Sequence, residues 1–251
     1  MGSSFDSDLA ELRYLAQQLR LYAQQHERYD MIDFRRYLND APGGKLLALE
    51  GTCTECTRCP HYQSRKQVVF SRGDERSTLA FVGEAPGADE DAQGKPFVGD
   101  SGALLDKMIA KMRAYAAEIG VAFPEQPYIC NVLKCRPPGN KLLNDGSDIA
   151  SCSQWLWQQL RLLPNVRVIV ALGRIAAQTL LATKEPIGQL RAEAKAFHTW
   201  DIQYQELATV NDGTVKLIAT WHPSYLLRQP NNKQPRQESW SDLQRAVEAL
   251  R

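Results

Sequence analysis

Side chains able to do chemistry are concentrated in a few short stretches of this sequence. Gly83-Glu84-Ala85-Pro86-Gly87 is a turn cluster that can continue neither a strand nor a helix; Glu90-Asp91, Gly94, Pro96-Phe97-Val98-Gly99 and Ser101-Gly102 follow it. A glycine-rich loop of this length, bearing carboxylates and one aromatic, reads as a ligand loop. A rival reading, a nucleotide-binding protein using this loop for phosphate, is weakened because no Gly-Lys-Ser/Thr closes the loop and paired acids repel an anion. A second chemistry belongs to the cysteines. Cys56-Thr57-Arg58-Cys59-Pro60 is a C-x-x-C pair, and Cys135 and Cys152 stand 17 positions apart. Four thiolates suit zinc or an iron–sulfur cluster, and spacing alone does not separate the two. Cys53-x-x-Cys56 is as good a pair as Cys56-x-x-Cys59, whereas Cys130, on an apolar run, reads as an inert core thiol.

Positioning these groups requires a scaffold, and the sequence supplies a rhythm for one. Apolar strand-like runs at 79–82, 128–133, 166–172 and 215–219 alternate with helical patterns near 102–118, 148–163, 174–182 and 238–250. Strands that alternate with helices predict a parallel sheet covered on both faces, because parallel strands need long crossovers. Every chemical cluster follows directly on a predicted strand: the glycine-rich loop, Asn131–Asn140, Gly173-Arg174 and Trp221-His222-Pro223-Ser224. Parallel strands bring all four to one rim of the sheet, where open α/β sheets bind ligands. Before this core, residues 7–27 carry an amphipathic helical pattern and Pro42-Gly43-Gly44 punctuates a linker. The sequence therefore predicts an appended arm over 1–45 and a main domain over 46–251. The stretch 183–214 breaks the rhythm and predicts an inserted loop or hairpin around Asn211-Asp212-Gly213.

Composition narrows the classes. The 251 residues are 43% hydrophobic and 24% charged, with 30 Lys and Arg against 29 Asp and Glu, which is ordinary globular usage. With a formal charge of +1 there is no global field to attract a polyanion, so nucleic-acid contact must come from local basic patches. No apolar run reaches membrane length and no signal-peptide pattern opens the chain. We therefore expect a cytoplasmic monomer with no membrane partner, its cysteines metal ligands or buried thiols rather than disulfides.

Taken together, the motifs resemble those of the iron–sulfur uracil-DNA glycosylases of bacteria and archaea, the group called family 4, and the chain is identified as a bacterial member. The matching residues are Cys56-Thr-Arg-Cys59-Pro with Gln67-Val68-Val69, and the loop Gly83-Glu84-Ala85-Pro86-Gly87 with Glu90-Asp91, Gly94 and Pro96-Phe97-Val98-Gly99. To these are added Asn131-Val-Leu-Lys134-Cys135-Arg136-Pro-Pro138, Ala171-Leu-Gly173-Arg174 and His222-Pro-Ser-Tyr-Leu226-Leu-Arg228. They span about residues 53–251, in the family's order. The resemblance implies a three-layer α/β/α sandwich on a four-stranded parallel sheet, and a 4Fe–4S cluster on Cys56, Cys59, Cys135 and Cys152. It selects Cys59 over Cys53 through the step to Gln67. The sequence departs from the family pattern at Leu190-Arg191-Ala192, where Gly tends to follow Arg, and at Ser101, where Ala is usual.

The resemblance also implies roles. The partner is uracil-containing DNA, and the reaction is hydrolysis of the N-glycosidic bond of an extruded uracil, leaving an abasic site. Asn131 would read the uracil edge, accepting from N3–H and donating to O4. Phe97 would stack on the base, and Ala85 stands where related single-domain uracil glycosylases carry an Asp. His222 would hydrogen-bond uracil O2 as charge develops there. Glu90 would line the pocket near C5, and Glu84 would position water or balance the cation. Lys134, Arg136 and Arg228 would meet phosphates, and Leu226 would be the apolar wedge. A rival reading keeps the fold and cluster but makes the chain a non-catalytic nucleic-acid-binding module. A covalent relative, in which the His attacks the sugar, carries a basic insertion after the second strand, where 139–147 shows only Lys141.

Overall fold

The computed structural model describes residues 44–192 and 215–251. The chain divides into two units, Met1–Thr52 and Cys53–Arg251. Of the first, the described residues are 44–52, all within helix α1 (Gly44–Thr54). The amphipathic helix expected at 7–27 lies outside the described residues, as do residues 193–214 of the expected insertion.

The second unit is built on one five-stranded sheet. In chain order its elements are β1 (Ser71–Arg72), β2 (Leu79–Gly83), α2 (Ala88–Gln93), α3 (Asp100–Glu118), β3 (Tyr128–Asn131) and α4 (Ser147–Arg161). There follow β4 (Val168–Leu172), α5 (Arg174–Leu181), α6 (Ile187–Ala192), β5 (Lys216–Thr220), α7 (Pro223–Arg228) and α8 (Gln234–Glu248). The strand order is β1-β3-β2-β4-β5. The four expected strands are all present and pair in parallel, with Gly83 level with Asn131 and Leu172 level with Thr220. A fifth, two-residue strand pairs antiparallel with β3 at the edge. So short a strand has no periodicity to read in sequence.

Helices cover both faces because successive side chains of a strand point to opposite sides. Leu79, Phe81, Ile129, Val168, Val170, Leu172 and Ile218 face a core completed by Leu105, Ile109, Met112 and Ala116 of α3 and by Leu243, Ala246 and Val247 of α8. On the other face lie α4 and α5. There Gln159 of α4 donates to Phe70 O and Tyr128 Oη, both at 3.1 Å. Since β3 and β4 lie on opposite sides of β2, the strand order reverses beside β2. The carboxyl end of that strand opens into the crevice that doubly wound sheets use for ligands.

Candidate functional site: a cavity at the carboxyl edge of the sheet

The loops leaving β2, β3, β4 and β5 enclose one cavity of about 630 Å3. Glu84, Ala85, Glu90, Phe97, Asn131, His222 and Arg228 all line it. Residues far apart in sequence meet here because glycines let backbones close up. A Cβ on Gly83 would fall 2.3 Å from Asn131 Oδ1 and 2.5 Å from Phe97 Cζ, so only glycine admits the amide and the ring side by side over the end of β2. Gly173 does the same for the histidine: its φ is +88°, and a Cβ would lie 2.9 Å from His222 Cβ.

Asn131 ends β3 and is 1% exposed. Among the described residues its Oδ1 has no hydrogen-bond partner. A buried acceptor left unpaired costs on the order of 1–3 kcal/mol, so an arrangement that keeps one open on a cavity is an arrangement built for a donor from outside. Phe97 lies beside it, with its ring centroid 5.8 Å from that of His222 and a tilt of 31°. Its backbone sits at φ 56°, in the left-handed region, at a cost of about 1 kcal/mol or more that the surroundings must offset. Two contacts hold it. Gly102, where a Cβ would be 1.9 Å from Phe97 O, lets helix α3 start against that carbonyl. The Glu90 carboxylate fixes the next two residues: Oε1 accepts from Val98 N (2.9 Å) and Gly99 N (3.0 Å), and Oε2 accepts from Gly87 N (3.0 Å).

His222 is the N-cap of α7. Its Nδ1 accepts from Ser224 N at 3.1 Å and lies 2.8 Å from Ser224 Oγ. A ring nitrogen that accepts from a backbone amide carries no proton, so the neutral ring has its hydrogen on Nε2. Burial, reinforced by the Arg228 charge and opposed by Glu90, pushes the His222 pKa down from 6.5 to about 4. Above that pH the ring is neutral and offers an Nε2–H donor. Glu84, half-buried, is moved the other way: burial raises its carboxyl above the ordinary range, and Arg174 and Arg228 pull it partly back.

Other expected site residues fall elsewhere. Lys134 is 1% exposed, its Nζ 2.5 Å from Asn131 O, and no phosphate can reach it. Leu226 is 3% exposed, turned inward on α7, because neighbours on a helix point about 100° apart; the exposed apolar side chain is Leu227, at 41%. Arg136 is half-buried and donates from Nε to Asn140 Oδ1 at 2.9 Å, while Arg228 is exposed on the cavity wall. Asp91, paired with Glu90 in sequence, accepts from Lys66 N at 2.9 Å and anchors the cysteine segment instead.

The cavity also holds residues to which the sequence reading gave no role. Arg174, first residue of α5, is one. Trp221 and Tyr225 are two more, with stacked rings 4.7 Å apart. Arg191, at the family departure, lies 5.0 Å from the Trp221 ring and pairs with Asp242 (2.7 Å) and Glu238 (2.9 Å). The one signal for the aromatic pair was its i,i+4 spacing across the His-Pro turn.

Cys53, Cys56, Cys59, Cys135 and Cys152 ring a second, small cavity. Three of the sulfurs are addressed by N–H groups: Cys135 by Arg65 Nη1 (3.3 Å), Cys152 by Lys134 N (3.2 Å) and Cys56 by Trp155 Nε1 (3.3 Å). Such donors suit sulfurs that carry negative charge. As bare thiols these groups hold their protons, since burial pushes Cys152 up to about 12 and raises Cys59 and Cys135; binding a metal centre would remove them. The donor set therefore fits a thiolate-held group. Among the described residues, no three His, Cys, Asp or Glu side chains gather as a ligand set for a single ion. Around the thiols, the buried pair His61 Nε2–Asp148 Oδ2 (2.8 Å) ties the turn after Cys59 to the start of α4, which carries Cys152.

Comparison with known proteins decides the family. The family model of the uracil DNA glycosylase superfamily matches residues 70–244. The chain belongs to that superfamily. Within it, the type-4 uracil-DNA glycosylase of Archaeoglobus fulgidus is 35% identical over 203 residues, covering 77% of this chain and 87% of the relative. That of Thermotoga maritima is 37% identical over 180 residues (71% and 81%). That of Pyrobaculum aerophilum is 35% identical over 185 residues (74% and 86%). These relatives are both archaeal and bacterial, so the match to type-4 glycosylases does not establish a bacterial source. Residues 70–244 of the glycosylase match take in every side chain named for the cavity at the sheet edge, and Cys135 and Cys152 of the thiol pocket, whereas Cys53, Cys56 and Cys59 precede it.

Proposed function

We propose that the cavity at the carboxyl edge of the sheet takes a uracil extruded from DNA and cuts its N-glycosidic bond. The chain is a uracil-DNA glycosylase of the type-4 group, acting in DNA repair. The observation that carries the assignment of residues is the unpaired, buried Oδ1 of Asn131 beside Phe97 and His222.

In the reaction the C1′–N1 bond breaks, the sugar gains positive charge, uracil leaves as an anion, the oxygen of water bonds to C1′, and the proton that this water sheds ends on the uracil anion. Asn131 accepts from uracil N3–H. Cytosine has no hydrogen at N3, so it leaves the amide unpaired; sites built this way discriminate by factors of about 10,000 or more. Phe97 supplies a stacking face worth about 1–3 kcal/mol. The neutral His222 donates Nε2–H to uracil O2, where negative charge develops, without surrendering the proton; a single donor of this kind is worth about 100- to 1,000-fold in rate. Glu90 keeps Phe97 in place, since both acceptor sites of its Oε1 are taken by backbone amides. Of the two glutamates that line the cavity, Glu84 is the one that would place water. Ala85 lines the cavity wall.

Cys56, Cys59, Cys135 and Cys152 would hold a 4Fe–4S cluster that staples the segment following α1 to β3 and α4, remote from bond breaking. Arg136 and Arg228, with Arg174, would meet phosphates beside the flipped nucleotide. Leu227, rather than Leu226, would be the side chain that fills the gap in the stack. We expect the protein to act as a monomer. An alkali-sensitive break in an oligonucleotide with one uracil, absent from a cytosine control, tests the activity; iron and sulfide content of anaerobically handled protein tests the cluster. Binding to the oligonucleotide without abasic-site formation would favour the non-catalytic reading.

A further inference from the structure

We propose that Lys134 is the buried positive charge that joins the thiol pocket to the uracil pocket, a positioning residue for both and not a phosphate contact. The proposal rests on the preceding reading, in which the thiolates hold a cluster and Asn131 reads the base. Lys134 is among the largest fully buried side chains of the protein. At one end its Nζ donates to the main-chain oxygen of Asn131 (2.5 Å). At the other, its backbone amide donates to Cys152 Sγ (3.2 Å), and the residue forms part of the wall of the cysteine cavity. Its carbonyl accepts from Val69 N at 2.8 Å, and its Nζ lies 5.8 Å from the centre of the Phe70 ring, so the residue is fixed against the segment that leads into β1. One residue therefore touches the strand end that carries the base-reading amide and a sulfur of the cluster set.

Charge explains why a lysine stands there. An ammonium removed from water needs an anion close by. Among the described residues no carboxylate pairs with Lys134. A 4Fe–4S centre on four thiolates is an anion, and the sulfur cavity is the place beside Lys134 where that charge would sit. Neutralising it lets the buried cluster persist, while the N–H bond to Asn131 O holds the end of β3 in the position from which its side chain reaches the cavity.

Lys134→Met keeps the side chain's length and removes its charge. In anaerobically prepared enzyme we expect iron to be lost to a chelator about tenfold faster or more, and single-turnover excision to fall by about 10- to 100-fold, the range for residues that support a metal site from behind. The dissociation constant for uracil oligonucleotide and its dependence on salt should stay as in wild type. Arg136→Met, at a phosphate contact, should lower the salt slope by about one. Lys134→Met that keeps its iron and its excision rate but lowers the salt slope would overturn the proposal. If that variant does not accumulate, Lys134→Arg decides: at a phosphate contact it behaves as wild type, whereas in a filled pocket the bulkier guanidinium slows excision with the salt slope unchanged. Wild-type protein without iron or excision would sink the underlying reading, and it is measured first.

Discussion

At the scale of single residues, the protonation states of the cavity make a testable pair. Burial holds His222 neutral down to about pH 4, so its loss of function on acidification lies well below that of an ordinary histidine. Burial raises Glu84, so a carboxylate that must be ionised to hold water loses its charge earlier, as pH falls through a value above 4.5. The acid limb of kcat/KM is therefore expected to belong to Glu84. It should vanish in Glu84→Gln, whose residual activity should be flat from neutrality down toward His222's own limb. A limb near pH 6.5 that survives Glu84→Gln would contradict both assignments. Sequence reading put Phe97, Asn131 and His222 in the clusters associated with the ends of apolar runs, and the family resemblance implied their roles. It could not supply the state of His222, which depends on Ser224 N reaching Nδ1. Nor could it see that Lys134 and Leu226 point inward, since spacing says where a residue stands along an element and not which way it faces.

At the scale of elements, the loop between β2 and α3 is a folded device and not a passive connection. Three backbone N–H groups converge on Glu90, and the returning chain holds Phe97 at positive φ. Glu90→Ala removes all three hydrogen bonds. Excision is expected to fall about 100-fold, as when a catalytic group is displaced by about 1 Å, and protease is expected to cut within 88–99 sooner than in wild type; unchanged activity would show that the loop holds itself. This role was hidden in the sequence because 98–99 returns to 90 only in three dimensions. Helix α7 makes a second prediction. Leu227, exposed at 41%, is the side chain available to a base stack. Leu227→Ala should slow excision from duplex by about tenfold, corresponding to 1–2 kcal/mol of lost stack filling, and leave single-stranded substrate unaffected. Equal effects on both substrates would remove the wedge.

At the scale of the whole molecule, the parallel sheet was legible from the alternation of apolar runs and helical patterns. The two-residue edge strand and the short helices α2, α6 and α7 were not, because six residues or fewer give too little periodicity. In the proposed reading a cluster on the thiol set would tie the segment following α1 to β3 and α4, alongside contacts that need no metal: His61–Asp148, Arg65 to Cys56 O (2.7 Å) and Lys66 to Asp91. Chelating the iron is therefore expected to loosen residues 53–67 first, giving early tryptic cleavage at Arg58 or Arg65 while the sheet resists. Identical cleavage with and without iron would show that the cluster does not staple the segment.

All of this depends on Asn131 turning its unpaired Oδ1 toward a base that carries a hydrogen at N3. Single-turnover excision from a uracil oligonucleotide, with DNA affinity measured in parallel, tests that directly in Asn131→Ala. The expected result is a rate constant at least about 100-fold below wild type with the dissociation constant little changed, the signature of an interaction made at the reacting base. A variant that excises uracil at the wild-type rate would contradict the account.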